Sequence, residues 1–399
     1  MWAKLRRAPT ATAYCEIFHE RLNACTIPNL KEDHFAKWNS KHPEAAPYFL
    51  EFAPLVDASG AVRGFDPSMA IERFIPAGGI DGALSVAERS YIGGLIQNAY
   101  AHRKIPVLTD TRTLGRFSAI ADAFPGRHVL LYRNIFHQWA SYAEQAADGN
   151  SYFIDMHLRT LESSRHDSFV RLLTDWFGGE GVSPNSAAAF QLFLLFHLYL
   201  YARAYDAADC VIDVNKLATN LDYRRSTEIV LGEYLLHPID LSDARTSFGL
   251  SLFTVDSKVA FIDAIDQFVK MIDRSVSERA SEFVAKAKDE ALEEWEKFEF
   301  YNRAYRSYSA ARLMQSALPS DRPAAMSTPS NANRLRLQHT STEEPSYERG
   351  GIPSAAQTAD SIAQRSQSGQ RSKRSMAKRK SNGPFNRKGK PPTSKGPPP

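Results

Sequence analysis

Residues 105–142 read IPVLTDTRTLGRFSAIADAFPGRHVLLYRNIFHQWASY. Two short apolar runs, PVLT at 106–109 and HVLLY at 128–132, each give way to a helical pattern. The first helix, over 114–124, is closed by Pro125-Gly126, and the second covers 136–147. Strand, helix, strand and helix in this order describe parallel strands joined by a crossover. The second strand delivers Arg133 at its carboxyl end, the side on which open parallel sheets bind ligands. Ser141 follows eight residues later, two turns into the next helix, and points back toward the same crevice. A guanidinium fork and a hydroxyl donor suit a phosphate monoester. The same residues also fit a plainer arrangement, with Arg133 capping a helix or paired with an acid.

The flanking sequence repeats the alternation. AYCEIF at 13–18 reads as a strand, YFLEF at 48–52 as a second strand or an extended segment, and CVIDV at 210–214 as another buried strand. Residues 84–103 place Tyr91, Ile92, Leu95, Ile96 and Ala99 on one helical face. Residues 1–7 resemble the end of a helix, 149–181 are helical and read as an insertion, and 186–207 form a core helix. From there to about residue 316 the pattern is helical. The last long helix repeats Val284, Ala291, Phe298 and Tyr305 every seven residues, so one stripe faces the body or a partner. The expected fold class is α/β, a parallel sheet of four or five strands with a helical C-terminal part.

Composition divides the 399 residues in two. Residues 319–399 hold 15 Lys/Arg against 5 Asp/Glu, with 11 prolines, 13 serines and two aromatics, Tyr347 and Phe385. Such a segment cannot bury enough apolar surface to offset its ordering entropy, so a disordered basic tail is expected there, after a body at 1–318. The pI near 8.8 belongs to that tail. Residues 371–390 carry nine basic residues and no acidic one, enough for loose, salt-sensitive binding to nucleic acid or an anionic membrane. Three cysteines exclude a disulfide framework and point to a reducing compartment. The apolar run at 187–202 is 16 residues, short of a bilayer span, and residues 1–7 do not resemble a signal peptide. A soluble, cytoplasmic protein without a transmembrane segment is expected.

HExxH, CxxC, GxSxG and GxGxxG do not occur, so zinc and serine-hydrolase chemistry find no support and no metal is expected. His197, on an apolar helix, reads as a core residue.

LLYRNIFHQWASY resembles the 3′-phosphate-binding segment of the sulfotransferases: an apolar strand, Arg followed by Asn or Asp, and Ser eight positions after the Arg. PVLTDTRTLGRF with FPGRHV is similar to the strand, Arg, helix and Phe-Pro block of bacterial sulfotransferase-like proteins. AYCEIFHERL looks like the strand in which that superfamily often carries Tyr-Glu-Pro-Phe, and CVIDVNKL resembles its Tyr-Glu-Asp-Leu strand end. These blocks keep the family's order over residues 2–217, and only the Arg133/Ser141 block is specific. The resemblance implies a P-loop-type sulfotransferase fold that binds 3′-phosphoadenosine 5′-phosphosulfate (PAPS). A sulfuryl group would pass in line to the hydroxyl or amine of a small-molecule, saccharide or other acceptor. Arg133 and Ser141 would clamp the 3′-phosphate. Many members carry a basic His where Thr111 stands here, whereas others place a Glu after the second strand, where Glu16 falls, with Ile17 replacing the usual Pro. Arg112 and Arg116 would lie near enough to bind sulfate or an anionic acceptor, and a surface-helix role suits Arg116 equally.

The family's glycine-rich 5′-phosphosulfate loop should stand immediately before Trp2, and the sequence contains no match to it. The expectation is a chain truncated before its P-loop, with a gap at the centre of the sheet, poor stability and no transfer activity as written. The second reading is a non-catalytic binding or interaction protein on a degenerate form of the same scaffold.

Overall fold

The structure, a computed structural model, describes residues 1–32, 47–178, 183, 186–245 and 253–317. A short helix α1 (Trp2–Leu5) leads into strand β1 (Ala11–Cys15), followed by α2 (Ile27–Glu32) and α3 (Val86–Ala101). The stretch that decides the fold then supplies β2 (Ile105–Thr109), α4 (Phe117–Ala123), β3 (Val129–Tyr132) and α5 (Ile135–Ala147). Helices α6 (Tyr152–Ser163), α7 (Ser168–Phe177) and α8 (Ala187–Ala207) precede β4 (Cys210–Asp213). Helices α9 (Val214–Thr219), α10 (Leu221–Leu235), α11 (Lys258–Asp273) and α12 (Glu278–Ala317) follow it. The described chain is a mixed α/β fold, predominantly helical.

The four strands form two parallel pairs. β1 runs beside β2 with Ala11 opposite Ile105 and Cys15 opposite Thr109. β3 runs beside β4 with Val129 opposite Cys210 and Tyr132 opposite Asp213. Among the described residues the two pairs are not hydrogen-bonded to each other. All four strands nevertheless turn one face into a single apolar cluster. Ala11, Ala13, Ile105, Val107, Val129 and Ile212 pack there with Leu5 of α1, Leu217 of α9 and Leu231 and Leu235 of α10. Alternate residues face the other way, as the two-residue period of a strand requires. Tyr14 and Leu108 meet Tyr91, Leu95 and Ala99 of α3, whereas Leu130, Tyr132 and Val211 join the large cluster around α8. The strands are not deeply buried throughout. Every residue of β2 is only half-buried, and Leu131, in the middle of β3, is 39 % exposed.

Helix α8 is the centre of the larger cluster. Phe190, Phe193, Leu194, Leu195, Leu198 and Ala202 are all fully enclosed, in a helix packed against α4, α5, α7, α11 and α12. The helix continues five residues beyond the apolar run read from the sequence, to 21 residues. It is therefore long and apolar enough by length and composition to cross a membrane, although most of it is buried in the fold. Length alone does not separate the two roles, and packing against five helices accounts for the apolar residues all round it.

Two features correct the expected elements. The YFLEF segment is neither a strand nor extended: Leu50–Leu55 is a 3₁₀ turn. Pro54 has no amide to give a ladder, and the three-residue spacing of Phe49 and Phe52 puts both on the buried side of a 3₁₀ turn. The helix expected over 114–124 starts with a 3₁₀ turn at Leu114–Arg116. There Gly115 lies so close to Phe74 that a Cβ would stand 2.7 Å from its carbonyl oxygen, which only glycine tolerates. Along α12, Val284, Ala287, Ala291 and Trp295 are buried and Phe298 is half-buried against the body. Tyr305, the next member of that stripe, has a side chain outside the described residues, as do the tail at 319–399 and its basic stretch at 371–390.

Candidate functional site

The carboxyl ends of β1, β2 and β3 carry Glu16, Asp110 to Arg112, and Arg133. Arg133 leaves β3 half-buried, where loss of water lowers its proton affinity and strengthens its field toward an anion. It is not the helix cap. Asn134 caps α5, accepting from the amides of Phe136 at 3.0 Å and His137 at 3.2 Å, and its own amide donates to the Glu290 carbonyl. One face of α5 then carries Gln138, Ser141, Tyr142 and Gln145 at helical spacing. Gln138 fixes that face relative to the strand end, donating to the Arg133 carbonyl at 2.8 Å and to the Tyr201 hydroxyl at 2.9 Å. Ser141 is half-buried, and its hydroxyl has no hydrogen-bond partner among the described residues.

Tyr142 joins the two sides of the crevice. Its ring is held between Phe153 and Phe193, with centroids 5.1 and 5.4 Å away. Its hydroxyl lies in the fields of Glu16, Tyr201, Arg112 and Arg133. Burial first, then Glu16 and Tyr201, push that hydroxyl up to about 12, so it stays a donor at neutral pH. This residue adjoins Ser141 in the sequence, and its (i, i+4) spacing from Gln138 on α5 is the sequence signal for it. Tyr201 comes from α8 and has no sequence signal linking it to Arg133.

Glu16 takes a left-handed backbone, φ 51°, immediately after β1, an uncommon conformation for a residue with a long side chain. It accepts a hydrogen bond from the Thr111 hydroxyl at 2.9 Å, so the residue in the place of the family's His touches the candidate base. Asp110 stands beside it at the end of β2. Burial and the like charge of Asp110 push Glu16 up to about 8, with Arg112 and Thr111 acting the other way. A carboxyl group with that proton affinity is a useful base near neutral pH.

The two arginines expected to bind sulfate or acceptor are both engaged elsewhere. Arg112 donates to Glu20 and to the Tyr152 hydroxyl at 2.8 Å, and Tyr152 donates to Glu20 at 2.6 Å. Burial works against the charge of Arg112, but Tyr152 and Glu20 outweigh it. Arg116 lies in neither a crevice nor a surface helix but in the core. Its guanidinium is fully buried, 2.9 Å from Glu88, donates to the Met69 carbonyl at 2.7 Å, and stands 4.1 Å over the Phe18 ring. Burial lowers it to about 10 against the pull of Glu88. Elsewhere, His197 bonds the Phe193 carbonyl through Nδ1 and is lowered by burial to about 4, the state of a neutral core histidine. Among the described residues no group of three or more His, Cys, Asp or Glu is placed to hold a metal ion.

Three strand ends thus carry Glu16, Asp110, Thr111, Arg112 and Arg133, and the helix after the third strand carries Ser141 and Tyr142. Comparison with family models, with curated proteins and with solved structures finds no match for the chain.

Proposed function

We propose that the crevice binds the 3′-phosphate of an adenosine nucleotide, as in the sulfotransferases, with PAPS as the sulfuryl donor and a hydroxyl or amine as acceptor. The observation that carries this reading is the placement of Arg133 at a strand end, fixed by Gln138 to the helix face that carries Ser141 and Tyr142. One guanidinium and two hydroxyl donors match the three oxygens of a phosphate monoester. Glu16, across the crevice, takes the acceptor's proton.

The engagement of Arg112 and Arg116 supports the second reading, a non-catalytic binding protein on the same scaffold. With Arg112 held by Glu20 and Tyr152 and Arg116 buried on Glu88, neither guanidinium remains to steady a transferring sulfuryl group. The sequence also lacks a glycine-rich loop for the 5′-phosphosulfate. Residues 1–399 are therefore expected to bind the nucleotide without turning over PAPS.

Thermal melts with adenosine 3′,5′-bisphosphate and with adenosine 5′-monophosphate test the shared claim. Stabilisation by the bisphosphate alone supports a 3′-phosphate clamp, because ligand binding to the folded state raises its stability by mass action. No stabilisation by either, or equal stabilisation by both, contradicts it. Transfer from radiolabelled PAPS then separates the enzyme from the binding protein.

A further inference from the structure

The paired register of β1 and β2 ends at Cys15 opposite Thr109, so the next residues, Glu16 and Asp110, emerge side by side. Their surroundings differ. Burial raises the proton affinity of Asp110 above the ordinary carboxylate range, but it accepts two short backbone hydrogen bonds, from Arg112 at 2.7 Å and from Phe18 at 2.8 Å, and these, with the charges of Arg112 and Arg116, favour its ionised form. Glu16 accepts one from the Thr111 hydroxyl at 2.9 Å and a long one of 3.4 Å from the Thr111 amide. Among the described residues the charged and titratable groups facing the two carboxyl groups are Arg112 from the end of β2, Arg116, Cys15 from β1, Tyr48 from the segment before the 3₁₀ turn, Tyr91 from α3 and Tyr142 from α5. Arg112, the cation acting on Glu16, is shared with Glu20 and Tyr152.

We propose that Asp110 is the positioning residue for Glu16: the two carboxyl groups hold one proton between them at neutral pH, with Asp110 ionised and Glu16 protonated. The inference rests on the reading of Glu16 as the group that takes the acceptor's proton. It adds that Asp110, through its charge, sets how strongly Glu16 holds a proton. Above the midpoint both carboxylates are bare, and Glu16 is then free to accept the proton released when the acceptor's O–H or N–H bond breaks. Two like charges at neighbouring strand ends resist joint ionisation, so the last proton leaves late. Thr111 acts oppositely, because its hydroxyl donates to the ionised form.

The test is a carboxyl titration of the full chain without ligand, followed by infrared spectroscopy or by carbon NMR of labelled Glu and Asp side chains. One carboxyl group is expected to titrate at about 8, and Glu16→Gln should abolish that transition. Asp110→Asn should move it to lower pH by removing the like charge. Thr111→Val, at an exposed position, should move it to higher pH by removing the hydroxyl donor. Opposite displacements are not produced by general loosening of the fold, and the Thr111 variant stands if Asp110→Asn fails to fold. A transition unmoved by Thr111→Val, or raised by Asp110→Asn, overturns the proposal, as does its persistence in Glu16→Gln. Absence of nucleotide binding with these titrations intact would instead remove the functional reading and leave the carboxyl pair standing.

Discussion

Replacing Arg116 with Met should destabilise the protein by about 3–5 kcal/mol while leaving nucleotide binding intact. The side chains of Arg116 and Glu88 are 0 % and 3 % exposed, and the pair is 2.9 Å apart. Arg116→Met fills a similar volume, so the loss is electrostatic: Glu88 is left as a buried charge without its partner, and the Met69 carbonyl loses a donor. The contact over the Phe18 ring adds about 0.5–2 kcal/mol to what is removed. Glu88 also closes a capping box with Ser85 at the start of α3, which a Gln at the same position can keep. The double variant Arg116→Met with Glu88→Gln should therefore recover most of the loss, since neither charge remains. Urea denaturation at neutral pH reads the difference as a shift in midpoint at constant slope. A single variant within about 0.5 kcal/mol of the parent that binds anions weakly would show that Arg116 faces ligand and that its burial is misassigned.

Ser141→Ala should weaken binding of adenosine 3′,5′-bisphosphate by about 0.5–1.5 kcal/mol in calorimetry, one neutral hydrogen bond. Trp295→Ala removes a 2 % exposed side chain packed 4.8 Å from the Phe261 ring and should lower stability by about 3–5 kcal/mol in the same urea assay. Glu16 is raised in the folded state, so between the ordinary value of 4.5 and about 8 the folded protein holds a proton that the unfolded chain has lost, and stability falls as pH rises through that window. Glu16→Gln should flatten this fall, which melts at pH 5 and pH 9 would show; an unchanged slope contradicts the assignment. Asp167→Ala should cost about 2–4 kcal/mol, because its carboxylate caps α7 at Phe169 and Val170 and also accepts from the Ile80 amide and the Tyr199 hydroxyl.

The strands at 105–109, 129–132 and 210–213 were legible because each is a short apolar run bounded by a change of period, a local signal. The stripe on α12 was legible for the same reason: Val284, Ala291 and Phe298 recur every seven residues and do face the body. The strand or extended segment expected at 48–52 is a 3₁₀ turn instead, because a short apolar run does not fix its own backbone and Pro54 cannot donate to a ladder. Placing Arg133 and Ser141 needed only the strand end and two helical turns. The fate of Arg112 and Arg116 was not legible, since their partners Glu20, Tyr152 and Glu88 stand 28 to 92 residues away in the chain. Partners so distant meet only through tertiary packing. Tyr201 became a site residue for the same reason, with Gln138 as the connecting side chain.

The central claim is that Arg133 clamps a 3′-phosphate, and calorimetry of Arg133→Ala with adenosine 3′,5′-bisphosphate tests it most directly. Removing a charge-assisted contact worth about 1.5–3 kcal/mol should weaken binding roughly 10- to 150-fold. Affinity for adenosine 5′-monophosphate, which has no 3′-phosphate to lose, should hardly change. Equal affinity of the parent and Arg133→Ala for the bisphosphate would contradict the account.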